Sequence, residues 1–112
     1  MLKRILIPLD GTKFSETALE KVKAAVFAAG AGRIGNYDSC CWQVAGQGQF
    51  RPLAGSTPSL GQEGKLEVVS EYRVEMVCTE KSIRAAVRAL QDAHPYEEPA
   101  WHVLQVVTEL PG

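Results

Sequence analysis

Cysteine is scarce in this chain and odd in number: Cys40, Cys41 and Cys78 are the only three. The first two are adjacent, so in a strand they would point to opposite faces, and a disulfide framework is not expected. No apolar run reaches the roughly eighteen residues of a membrane span. Residues 1–8 turn polar too soon for a secretory leader, so a cytoplasmic protein is expected. Charge of one sign is also missing. Twelve basic residues face thirteen acidic ones, spread along the length for a net charge of -1, which leaves no footprint for nucleic acid or an anionic membrane. Aromatics are few, and Tyr37, Trp42, Phe50 and Trp101 are not interleaved with basic residues, which excludes a base-stacking platform.

What is present is enough apolar residue, 46% of 112, to bury a core without cross-links, and residues 1–112 read as a single domain. Residues 2–9 form a β-branched and leucine-rich run ending at Asp10-Gly11, the pattern of a buried strand and turn. From about Ser15 the period lengthens. Leu19, Val22 and Val26 recur at helical spacing, Glu16, Glu20, Lys21 and Lys23 take the wet side, Ser15 can cap, and Gly30 can stop the helix. Residues 37–45 have strand composition, and the glycines and prolines of residues 46–64 read as a long loop or irregular hairpin.

The clearest strand spans residues 66–78. There Leu66, Val68, Tyr72, Val74, Met76 and Cys78 share one parity, while Glu67, Glu71, Arg73 and Glu75 share the other. Thr79 is a candidate cap for a second amphipathic helix lined by Ile83, Val87 and Leu90, and Pro95 closes that helix after His94. Residues 101–108 complete the set.

The resulting order βαββαβ is the ferredoxin-like arrangement, an α+β fold with a four-stranded antiparallel sheet and two helices on one face. The last strand is apolar on both sides, Trp101, Val103 and Val107 on one and Leu104 and Val106 on the other. The uncovered face therefore calls for a partner, and self-association supplies one most simply.

Three constellations have chemical potential. Gly30-Ala31-Gly32-Arg33-Ile34-Gly35 spells the dinucleotide fingerprint, but it follows a helix and leads into a strand, the reverse of the order that aims a helix N-terminus at a pyrophosphate. A helix stop and tight corner is the preferred reading. Cys40-Cys41 lacks the C-x-x-C spacing that brings two thiolates to one zinc ion, and core thiols are preferred. His94, Glu97, Glu98 and His102 form the densest donor set, with imidazole and carboxylate suited to a divalent metal ion. Against this, a histidine that ends a helix before proline also complements the helix dipole.

Three words in order then carry a resemblance. Residues 27–37 read Phe-Ala-Ala-Gly-Ala-Gly-Arg-Ile-Gly-Asn-Tyr, residues 48–52 read Gly-Gln-Phe-Arg-Pro, and residues 94–100 read His-Pro-Tyr-Glu-Glu-Pro-Ala. Together they resemble the PII/CutA-like insertion domain of the dinuclear-metal-centre (YqfO/YbgI) family, and the last word is similar to a loop of the trimeric CutA proteins. The resemblance implies a non-enzymatic homotrimeric regulatory or binding module. A small-molecule effector would sit at Arg33, Asn36, Tyr37 and Tyr96, and a divalent metal at His94, Glu97 and Glu98. It brings no enzyme with it. The two-metal site of the larger family and its GTP cyclohydrolase label belong to a catalytic domain for which 112 residues are expected to leave no room. A metal-dependent hydrolase acting on a nucleotide-type substrate and a purely structural interaction module stand as the alternatives. Residues 2–12 depart from the family and look like the opening of a universal stress protein.

Overall fold

The computed structural model describes residues 2–10, 16–58, 61–95 and 98–107, with residues 2–10, 16 and 17 described by their backbone. Ser15, the expected first cap, lies outside the described residues. The elements run β1 Leu2–Asp10, α1 Glu16–Ala28, β2 Trp42–Phe50, β3 Glu67–Thr79, α2 Ile83–Ala93 and β4 His102–Gln105. The strands form one sheet in the order β2-β3-β1-β4, with every neighbouring pair antiparallel.

Alternation along β3 decides where the core lies. Val74, Met76 and Cys78 are buried, and above them lie Leu19, Val22 and Val26 of α1, Ala31 just beyond it, and Ala86 and Leu90 of α2. Val103 of β4 packs against the same cluster. Both helices therefore rest on one face of the sheet. Burial pushes the Cys78 thiol pKa up, because the thiolate would lose its hydration.

The helices cover only part of β3. Thirteen strand residues span about 43 Å at 3.3–3.4 Å each. The thirteen and eleven residues of α1 and α2 span about 20 and 16 Å. The hairpin made by β2 and the start of β3 therefore projects, and the molecule measures 53 × 25 × 23 Å. Leu66 and Val68 share the parity of the core residues, yet Val68 is 56% exposed because no helix reaches it.

Two strand and cap expectations are corrected. The second strand occupies residues 42–50 rather than 37–45, so Gly46 and Gly48 lie inside a strand and Cys40 and Cys41 outside it. The thirteen-residue β3 imposes this register. The carboxylate of Glu71 lies across Gly48, filling the space that a side chain there would need. No β2 side chain belongs to the core, and Lys23 Nζ donates to Gln43 Oε1 at 3.1 Å to tie the strand to α1. The cap position of α2 is Ser82 rather than Thr79. Thr79 ends β3, and its carbonyl accepts from Ser82 N–H at 3.1 Å in the intervening turn.

Below its ordinary value of 9.0 the Cys78 thiol is protonated in both folded and unfolded chains. Above it the unfolded chain ionises first, so stability falls as pH rises toward the raised folded value. Urea unfolding between pH 8 and 10.5 should show a shallower decline in Cys78→Ala than in the wild type.

Candidate functional site

The glycine run begins as a helix stop. Gly30 N–H donates to Phe27 O at 3.0 Å and Ala31 N–H to Val26 O at 3.3 Å, the paired bonds of a Schellman motif with Gly30 at φ 111°. Its hydrophobic contact is supplied by Ala31 and Val26, both in the core. A Cβ on Gly30 would lie 2.7 Å from Ser82 Oγ, so this glycine also lets the end of α1 close on the start of α2.

Gly32, at φ 77°, donates to Val77 O at 2.7 Å and accepts from Cys40 N–H at 2.8 Å, extending the hydrogen bonding of β3 just beyond the start of β2. Ile34 and Tyr37 then exchange backbone bonds of 2.9 and 3.0 Å around a Gly35-Asn36 tip. The N–H groups of Gly30, Ala31, Gly32 and Ile34 are thus engaged within the fold, whereas a phosphate cradle needs such groups turned toward its ligand. This agrees with reading the run as a corner. Arg33, Asn36 and Tyr37 are exposed around the tip, Tyr37 at 75%.

His94 sits at the other end of α2. It is the C-cap, its N–H donates to Leu90 O at 2.9 Å, and its ψ of 134° is the extended geometry favoured before proline. Its side chain is buried at 6% exposure. Glu98 is exposed, and so is His102 on β4. Tyr96 and Glu97 lie outside the described residues. Among the described residues no three His, Cys, Asp or Glu side chains come together as a metal cluster.

The corner is fixed against Ser82 at the start of α2, and His94 ends that helix about 16 Å away at 1.5 Å per residue. Within one chain the Gly30 corner and His94 therefore lie at opposite ends of α2.

The sheet face away from the helices carries a surface that sequence periodicity assigned only in part. Register places Trp42 opposite Glu75 and Val44 opposite Arg73, on the face away from Val74. Leu104, next to core-facing Val103, takes the same open face on β4. Trp42 is 62% exposed and Leu104 49%. The signal that would have found the projecting hairpin was the mismatch between strand and helix lengths.

With this geometry described, the likeness to known proteins becomes specific. A GTP cyclohydrolase 1 type 2 homolog of Mycobacterium bovis is 48% identical over 88 residues, 79% of this chain and 23% of that protein. The homolog of the same name in Bacillus subtilis is 42% identical over 87 residues, 78% of this chain and 23% of its own length. The chain is a relative of one segment of the NIF3/YqfO proteins. It spans about a quarter of the length of the curated relatives it matches. The crystal structure of a Bacillus cereus protein related to NIF3 matches with a TM-score of 0.74 and 35% identity, over 91% of this chain and 24% of that one. CutA from Synechococcus elongatus matches at 0.65 with 21% identity, over 95% and 77% of the two chains, a likeness of fold. No family model matches. No helix among the described residues is long and apolar enough to cross a membrane.

Gly30→Ala should lower the free energy of unfolding by about 1–3 kcal/mol, because φ 111° and the Ser82 contact both oppose a side chain. Arg33→Ala and Tyr37→Ala, at exposed positions, should stay within about 0.5 kcal/mol of the wild type in the same urea titrations.

Proposed function

We propose that the protein works as a homotrimeric, non-enzymatic PII/CutA-like regulatory module of the cytoplasm. It would hold a small-molecule effector or a divalent cation in clefts between subunits. The observation that carries this reading is the apolar surface left outside the core, with Trp42, Val44 and Leu104 on the open sheet face and Leu66 and Val68 on the projecting hairpin. Apolar side chains gathered in this way mark an association surface. The separation of the Gly30 corner from His94 along α2 supports the same reading. Arg33, Asn36 and Tyr37 can meet Tyr96 and the donors His94, Glu97 and Glu98 when the corner of one subunit approaches the far end of α2 in the next. A structural neighbour from Thermus thermophilus, with a TM-score of 0.67 and 16% identity, is described as a divalent cation tolerance protein, which favours a cation as one ligand.

Light scattering on the purified chain should give three times the protomer mass of 12.2 kDa, and Trp42→Glu together with Leu104→Glu should shift it to the monomer. A monomeric wild type at micromolar concentration would remove the cleft altogether. Calorimetric titration with divalent cations should show binding that weakens at least about tenfold in His94→Ala and in Glu97→Ala, as expected when a first-sphere donor is lost. Trace metal unaffected by either change argues for the small-molecule effector alone.

A further inference from the structure

Two glycines interrupt β2, and the fold of a single chain has need of only one of them. A glycine in a strand interior weakens the strand, and three circumstances account for one: a positive φ, a bulge, or the close approach of another group. Neither Gly46 nor Gly48 has a positive φ. Neither marks a bulge, because residues 42–50 pair one to one with residues 67–75 throughout. Close approach is left. At Gly48 the chain meets it from within, where the Glu71 carboxylate occupies the place of a Cβ. At Gly46 it does not: this residue is exposed, and among the described residues no atom lies within 4 Å of where its Cβ would stand.

We propose that Gly46 is a seat for a second copy of this chain, which packs directly on the bare backbone of β2; this rests on the assembly proposed above and locates its closest contact. Gly46 and Gly48 share the open sheet face with Trp42 and Val44, the apolar side chains of the association surface. The Cα atoms of two such alternate residues are about 6.6–6.8 Å apart, so the glycines open a notch roughly as wide as one polypeptide backbone. Sheets that face each other through ordinary side chains stand about 10 Å apart, and positions without a Cβ let a neighbouring chain come nearer. The charges beside the notch indicate what the neighbour is. On β3, Glu71 lies opposite Gly46 and Arg73 opposite Val44, and the Arg73 side chain, 59% exposed, holds its Nε 3.8 Å from Glu75 Oε1. A wholly apolar occupant such as a lipid would bury these charged groups without full compensation. The same face of a second copy offers carboxylates to Arg73 and apolar side chains to Trp42 and Val44.

Gly46→Ala and Gly46→Val add a side chain to a strand position with open space above it, so a single chain should tolerate both. Placed in the monomeric Trp42→Glu, Leu104→Glu double variant, each should have a urea midpoint equal to or above that of its parent, because strands favour either residue over glycine. In the otherwise wild-type chain the sign reverses. Sedimentation velocity over a dilution series should show the dissociation constant of the assembly raised at least about tenfold by Gly46→Ala and further by Gly46→Val, since extra methyl groups at a close contact overpack it. Ala45→Val, which enlarges the opposite face of the same strand, should assemble as the wild type does. Wild-type assembly in both Gly46 variants, equal weakening by Ala45→Val, or a lowered urea midpoint in the monomeric background would overturn the seat and leave the assembly standing. A monomeric wild type would remove both. Hydrogen exchange needs no variant at Gly46: residues 42–50 should exchange more slowly in the assembled wild type than in the monomeric double variant, and equal rates refute the seat.

Discussion

Val74, Met76 and Cys78, three alternate residues near the end of one strand, form the floor on which both helices rest. Because α1 and α2 are each less than half as long as β3, the floor they cover is short. Everything beyond it is sheet without a roof. Leu66 and Val68 continue the inward parity of β3 into solvent, and β2 adds nine residues with no side chain in the core. The projecting hairpin is held by its backbone ladder and by the bond from Lys23 to Gln43, so its apolar residues remain available to another surface.

The corner after α1 is the second constraint. Gly30 ends the helix and lets Ser82 approach, and Gly32 bonds both to Val77 and to Cys40. These contacts place the Ile34–Tyr37 turn near the start of α2, with His94 at its end. In the proposed function a second chain brings the two together, which links assembly to ligand binding.

Much of this was legible in residue order. The switch from a β-branched and leucine-rich run in residues 2–9 to helical spacing at Leu19, Val22 and Val26 marked the first two elements, and Pro95 marked the end of α2. The order of the glycine run, after a helix and before a strand, argued correctly for a corner. The sequence pattern hides β2 because Trp-Gln-Val-Ala-Gly-Gln-Gly-Gln-Phe has no buried side to betray it, and its glycines resemble a loop. Its register comes from β3, a partner some twenty-five residues away along the chain. The resemblance in residues 94–100 identified relatives but left the donors unplaced, and the structure shows His94 buried with Glu98 exposed.

By itself the sequence determined the elements with a strong local period, the helix stop at Gly30 and the βαββαβ order, because spacing and backbone freedom are properties of neighbouring residues. Only the tertiary structure decided which inward-facing residues are covered, where the glycine-bearing strand pairs, and that the Gly30 corner and His94 lie at opposite ends of α2. Those outcomes depend on what lies above or beside a residue, and elements distant along the chain supply that.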